Sequence, residues 1–246
     1  MQIPFEITED RLLDGRIRLL QPAEGYRAAI DPLLLAAALK AGPGQRVLDA
    51  GCGVGSAGLC LMARRPDCSV TGLELQPELA ELARRNLILN GMAERGQVAQ
   101  GDLAQAPFAP GSFDHVMTNP PYHQGGSLSP HAIKAVANSE GDLALGDWLK
   151  ACCKLLRPKG TLLVIQRADR LDEMLSALSG RLGGLTVFPL WPKEGREAKR
   201  VLLAGRKGSK APLRLLPGLV LHHEDGSYSP AAESVLRQGG SLEILA

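Results

Sequence analysis

Between an apolar stretch at Arg46 to Ala50 and a helix-forming stretch at Val54 to Arg64, the chain reads Asp49-Ala50-Gly51-Cys52-Gly53-Val54-Gly55. Three glycines on alternate positions between a strand and a helix constrain the fold more than any other feature. They let backbone approach a ligand where a Cβ would clash, and the helix they open favours an anionic group at its amino end. A dinucleotide-binding fingerprint places its third glycine three residues after the second. The even spacing here departs from that pattern, so a hydride-transferring dehydrogenase fits the loop poorly.

Beyond the loop, strand-like and helix-like segments alternate, which implies a mainly parallel sheet covered on both faces. Ser69 to Glu74 reads as a second strand and Pro77 to Asn90 as a helix, with Pro77 in its first turn and Gly91 closing it. Gln97 to Gly101 and Phe113 to Thr118 read as the third and fourth strands. Asp142 to Leu156 is a helix ended by Arg157-Pro158-Lys159-Gly160, and Thr161 to Gln166 an apolar fifth strand. Ala168 to Leu178 is a further helix, and Leu185 to Leu190 with Arg200 to Ala204 form a closing antiparallel pair. The expected fold class is α/β, a doubly wound, mainly parallel seven-stranded sheet. Ahead of it, Ile17 to Leu20 is strand-like and Asp31 to Leu39 an apolar helix with Asp31 as N-cap and Pro32 following. With 246 residues, 45% of them hydrophobic, the chain can bury one full core.

Charge is uneven. From Lys193 to Arg214, eight cations (Lys193, Arg196, Lys199, Arg200, Arg206, Lys207, Lys210, Arg214) face only Glu194 and Glu197, a local +6. That leaves −4 on the remainder of a chain whose formal charge is +2. This stretch reads either as a nucleic-acid surface or as a solvated loop. The residues from Met1 to Arg18 hold no apolar signal run, and the longest apolar run, Leu33 to Leu39, falls short of a membrane span. Five cysteines, at 52, 60, 68, 152 and 153, show neither C-x-x-C spacing nor a histidine pattern, so a metal site or disulfide framework is not expected and a reducing cytoplasm fits. Cys152 and Cys153 read as small core residues. His222-His223 has no partner spacing for a metal.

Three positions at strand ends carry chemistry. Glu74, about 20 residues past the glycine loop, can accept ribose hydroxyls. Asp102, after the third strand, can accept from an adenine amine with Leu103 packed on the ring. Ligands bind at these ends in open α/β sheets. Directly after the fourth strand comes Asn119-Pro120-Pro121-Tyr122. The Asn119 side-chain oxygen and the Pro120 carbonyl can accept the two N–H groups of a planar amine, draw its nitrogen toward tetrahedral geometry and stabilise developing positive charge. Tyr122 supplies a stacking face. No carboxylate general base is required.

With these residues in place, the core resembles class I S-adenosylmethionine-dependent methyltransferases of the amino-methylating Asn-Pro-Pro-Tyr kind, in which an acidic residue such as Asp49 commonly ends the first strand. The chain more closely resembles the bacterial family that methylates adenine N6 beside the anticodon of a valine tRNA. The matching blocks are Thr8 to Arg16 with Gln21 to Asp31, the Asp49 and Asn119 motifs, and Arg206-Lys207-Gly208 through Leu221-His222. The resemblance implies S-adenosylmethionine as cofactor, an RNA substrate and a cytoplasmic enzyme. It divides the chain into a cap over the cofactor (1–44), a methyltransferase core (45–205) and an extension of the core offered to RNA (206–246).

It further implies Asn119, Pro120 and Tyr122 as catalytic residues. For the cofactor it implies Asp49, Gly51, Gly53, Gly55, Glu74, Asp102, Leu103 and Asn119, with Tyr26, Arg27 and Asp31 near the methionine end. From the residues alone, Tyr26 and Arg27 read equally as a locally packed helix-entry turn. His123 to Pro130 is placed to form a lid or substrate-reading loop, with His123 and His131 as exposed loop histidines. The same turn serves enzymes acting on cytosine N4, guanine N2 of rRNA or a glutamine amide of a protein. A non-catalytic subunit of this fold is a separate alternative, against which Asn119, Tyr122 and the glycines all stand.

Overall fold

The computed structural model describes residues 3–24, 27, 29–121 and 143–244. Their strands and helices follow one another as β1 (Ile7–Leu12), β2 (Ile17–Pro22), α1 (Asp31–Ala38), β3 (Arg46–Ala50), α2 (Ser56–Arg64), β4 (Ser69–Glu74), α3 (Pro77–Leu89), β5 (Gly96–Gln100) and β6 (Phe113–Thr118). Then come α4 (Leu145–Leu155), β7 (Leu156–Arg167), α5 (Leu171–Leu178), β8 (Leu182–Trp191), β9 (Arg200–Lys207), β10 (Arg214–Leu215), β11 (Leu219–Val220) and α6 (Pro230–Glu233).

The sheet order is β10-β8-β9-β7-β6-β3-β4-β5, with β11 also beside β8. Pairs among β5, β4, β3, β6 and β7 are parallel, while β9 runs antiparallel to both β7 and β8. This is the doubly wound sheet read from the sequence. It has nine strands among the described residues rather than seven, because two-residue strands β10 and β11 extend the β8 edge.

Side chains sort by a period of two, as a sheet covered on both faces requires. Val47, Met117, Leu163, Ile165, Leu202 and Ala204 pack with α1, α2 and α3, while Leu48, Val116, Leu162, Val164, Val201 and Leu203 pack with α4 and α5.

Several boundaries differ from expectation. The N-terminal strand has a partner, β1, whose alternation of Thr, Glu, Asp and Arg hides the hairpin from an apolar reading. The Arg157-Pro158-Lys159-Gly160 turn interrupts β7 as a register shift between Phe113 and His115 instead of separating helix from strand. The N-cap of α1 is Ile30 and makes no side-chain cap bond. Asp31 instead pairs with Arg200, Nε to Oδ2 at 3.1 Å.

Asn86 of α3 docks the hairpin. Its side chain accepts from Leu20 N at 2.7 Å and donates to Leu20 O at 2.8 Å and to Val54 O, in the glycine loop, at 3.0 Å. Asn90 repeats the pattern on Arg18 at an exposed position. Asn86 is fully buried, so Asn86→Ala orphans three backbone groups and should cost about 2–4 kcal/mol. Asn90→Ala should cost less than about 1 kcal/mol; comparable losses in urea melts of the two variants would refute this account of the docking.

Candidate active site

Because β3 to β7 are parallel, their carboxyl ends share one edge, and the predicted residues collect there. At the end of β3, Gly51, Gly53 and Gly55 take φ of 71°, 55° and 84°, left-handed values that an L side chain resists. Gly51 N and Cys52 N both bond Leu73 O, at 2.8 and 3.0 Å, fastening the loop to β4. A Cβ on Gly51 would meet the Trp148 ring at 2.7 Å, whereas one on Gly53 would meet nothing within 4 Å. The loop is therefore closed on the Trp148 side and open at Gly53, the cradle a bound nucleoside needs.

Two carboxylates brace it. Asp49 is 2% exposed and accepts from Gly58 N in the first turn of α2 at 3.1 Å. Burial pushes its carboxyl up to about 7, opposed by the Gly58 amide and reinforced by the charge of Glu74. Glu74 accepts from Gly53 N at 2.8 Å and from Gln76 N at 2.9 Å. Burial raises its carboxyl as well, with those amides pulling the other way. Asp49 thus acts from beneath the loop, while Glu74 stands at the loop itself.

Asp102 caps the short turn Leu103–Gln105, accepting from Ala104 N at 2.8 Å. Leu103 is 6% exposed and belongs to the core with Leu73 and Phe113. The apolar side chain open at this rim is Leu75, 50% exposed beside Glu74, a position the sequence reading passed over.

Asn119 follows β6 half-buried and Pro120 is buried. Beneath them Thr118 Oγ1 donates to Ala50 O at 2.7 Å and accepts from Trp148 Nε1 at 2.9 Å. The strand carrying Asn119, the strand carrying the glycine loop and helix α4 are so joined in one hydrogen-bonded chain. Gln166, fully buried, donates from Nε2 to Pro120 O at 3.3 Å. Neither Trp148 nor Gln166 was singled out from sequence. The signal for Gln166 was a polar residue closing an otherwise apolar strand, and Trp148 gave none.

Arg27 lies in the hairpin: its guanidinium donates to Thr8 Oγ1 at 2.9 Å and Pro22 O at 3.2 Å and pairs with Asp10. Asp31 is at the carboxyl edge through Arg200, whose register partner on β7 is Arg167. Tyr26, Tyr122, the segment from His123 to Pro130 and His131 lie outside the described residues.

The basic stretch from Lys193 to Arg214 is not one surface. Leu190 pairs with Arg200, so the turn holding Lys193, Arg196 and Lys199 stands at the carboxyl edge with Asn119. Arg206 and Lys207 pair with Thr161 and Leu182 at the opposite edge. There Arg206 Nε donates to Lys159 O at 3.0 Å, and Lys207 Nζ to Cys153 O at 2.8 Å and Leu156 O at 2.6 Å. Lys207 thereby closes the carbonyl end of α4. All five cysteines are buried and free. Among the described residues no helix is long and apolar enough to cross a membrane.

Residues 29–186 match the family described as methyltransferase small domain. The chain is 32% identical to a tRNA1(Val) (adenine(37)-N6)-methyltransferase of Aeromonas hydrophila, over 82% of this chain and 85% of that one. It is 31% identical to a protein of the same description from Porphyromonas gingivalis, over 76% of each chain. In structure it is similar to a predicted O-methyltransferase of Agrobacterium tumefaciens, with a TM-score of 0.75 and 27% identity over 88% of this chain and all of that one.

The Asp49 carboxyl carries a pH signature. Below about pH 4 it is protonated folded or unfolded; between about 4 and 7 the unfolded chain has released a proton that the fold still holds. Stability therefore falls as pH rises through that window, by at most about 4 kcal/mol, and then levels. Asp49→Asn keeps an acceptor for Gly58 N and removes the charge, so its melting temperature should fall less between pH 4 and 7 than that of the unaltered protein. Parallel curves would show that Asp49 is not the group titrating.

Proposed function

The chain belongs to the methyltransferase small domain family, and on that premise we propose that it methylates the exocyclic N6 of an adenine in tRNA, beside the anticodon. It is an S-adenosylmethionine-dependent methyltransferase, and that cofactor supplies a methyl group already activated on a sulfonium. The observation that carries the acceptor reading is the Asn119-Pro120 turn on the carboxyl end of β6, the strand next to the glycine loop of β3. The names of the relatives, each specifying adenine N6 in a tRNA, support the same acceptor. A tRNA substrate places the reaction in the cytoplasm.

The residues divide the work. Gly51, Gly53 and Gly55 admit the cofactor to the backbone, and Glu74 faces its ribose. Asp102 and the open face of Leu75 border the adenine end, while Asp49 sets the loop from below. Leu103, Arg27 and Asp31 contribute by packing and by anchoring the cap, with Tyr26 beside them in sequence. Asn119 Oδ1 and Pro120 O accept the two N–H groups of the substrate amine, loosening its lone pair from the ring and holding the positive charge that develops. Alignment of amine and methyl completes the rate gain without a general base. Tyr122 follows in sequence to stack the extruded base, and an unpaired anticodon-loop base is cheap to extrude.

For the RNA surface we assign the turn between β8 and β9. Its root lies two strand spacings from β6, about 10 Å. Arg196 and Lys199 are exposed on it and form no ion pair within 4.0 Å among the described residues. Lys193 and Arg200 flank them but are engaged by Glu224 and Asp31.

Asn119→Ala should lower turnover by at least about 100-fold while cofactor affinity stays within about threefold, because its bonds belong to the transition state. Transfer of labelled methyl to unmodified tRNA, followed by nucleoside analysis, reads the acceptor: N6-methyladenosine is expected. Label on guanine N2, on a ribose oxygen or on protein would overturn the adenine reading and leave the methyltransferase standing. The paired substitution Arg196→Ala with Lys199→Ala should reduce the salt slope of tRNA binding by up to about 2. Lys207→Ala should leave that slope alone and lower the melting temperature; the reverse pattern would move the RNA surface to the opposite edge.

A further inference from the structure

Pro120 and Pro121 carry no backbone N–H, so the turn that presents the amine acceptors has no donor at either of these two positions. The ladder that orders β6 pairs Thr118 with Val164; extended two residues along each strand, that register brings Pro120 level with Gln166. Thr118 and Gln166 also project from the same face of the sheet as Val116, Leu162 and Val164, the face covered by α4 and α5. Gln166 Nε2 reaches Pro120 O at 3.3 Å, and Gln166 Oε1 accepts from Arg167 N at 2.9 Å. Both halves of the amide are therefore engaged, at a fully buried position.

We propose that Gln166 is a positioning residue for methyl transfer, its side-chain amide holding the Pro120 carbonyl and fixing it toward the substrate amine. This rests on the reading of the Asn-Pro-Pro-Tyr turn given above. A carbonyl oxygen has two lone pairs. Gln166 occupies one from within the sheet, and the other is left to the ligand side. A leucine would fill the same volume with no polar group to satisfy, as Leu162 does two rungs earlier. The amide instead bonds two backbone groups, Arg167 N and Pro120 O, and the second of these bonds orients the carbonyl offered to the substrate.

The test uses the full chain, unmodified tRNA and S-adenosylmethionine. Gln166→Leu should lower kcat by about 10- to 100-fold, the scale typical of residues that orient a reacting group's partner. KM for tRNA and Kd for the cofactor should stay within about threefold, with the melting temperature modestly lowered, since leucine leaves Pro120 O and Arg167 N without their side-chain partner. Gln166→Glu is the second variant. Its carboxylate repels the Pro120 oxygen, whereas its protonated acid can donate to it, so its activity relative to the unaltered enzyme should rise as pH falls. A Gln166→Leu enzyme with full kcat, a loss confined to KM, or a Gln166→Glu enzyme with an unshifted pH profile would each overturn the assignment. Absence of N6-methyladenosine in the product of the unaltered enzyme would instead overturn the acceptor reading on which it rests.

Discussion

Two buried carboxylates, Asp49 and Glu74, hold the glycine loop in the shape that everything else uses. Left-handed backbone at three of five successive residues is open to glycine but not fixed by it, so the loop takes its shape from its hydrogen bonds. The Gly58 amide on Asp49 and the Gly53 amide on Glu74 fix its two flanks, while Leu73 O holds Gly51 and Cys52 to β4. The arrangement is costly, because both carboxyls are raised by burial and the charge of Glu74 raises Asp49 further.

The same loop sets the acceptor side through contacts rather than through charge. Ala50 O, Thr118 Oγ1 and Trp148 Nε1 form one hydrogen-bonded chain from β3 to β6 and on to α4. The Trp148 ring lies where a Cβ on Gly51 would have to be. Glycine at 51 is therefore demanded twice, by its φ and by the indole. The distance between donor and acceptor sites is set by neighbouring strands of one parallel sheet, so it varies little as surface loops move. On the far side, Asn86 ties β2 to Val54, so the N-terminal hairpin is referenced to the same loop.

What the sequence made legible follows from the length scale of each signal. The alternation of apolar strands and helices, the glycine spacing and the Asn-Pro-Pro turn are local patterns, and each appears where local physics requires it. Glu74, Asp102 and Asn119 stand together at one edge because each lies at or just after the end of a strand and the strands are parallel. The partners were hidden because they are set by register. Gln166 is paired with Pro120 only once β6 and β7 are aligned, and Trp148 meets Gly51 only once α4 has packed. β1 escaped notice because its outward residues are charged and its inward ones few. Leu103 looked available for a flat ring by position, but the core claimed it and left Leu75 open.

The basic stretch shows how far a charge count can mislead when the chain turns within it. Eight cations in twenty-two residues read as one patch, yet an antiparallel strand of eight residues spans about 27 Å at 3.4 Å per residue. β9 therefore carries the two halves to opposite edges of the sheet. On the edge away from Asn119, Arg206 and Lys207 are fastened to carbonyls of Lys159, Cys153 and Leu156, where their charge serves the helix end and the turn before β7. On the near edge Arg200 is held by Asp31, so one cation of the stretch anchors α1 while Arg196 and Lys199 remain extended into solvent. Charge at the carboxyl edge left unpaired among the described residues is thus carried by a short turn, and the strand that supports that turn lies against β7, whose Gln166 bonds the Pro120 carbonyl. On the proposed reading, substrate docking and acceptor geometry are borne by adjacent strands, so a phosphate contact on the turn would act on a sheet already holding Pro120 in place.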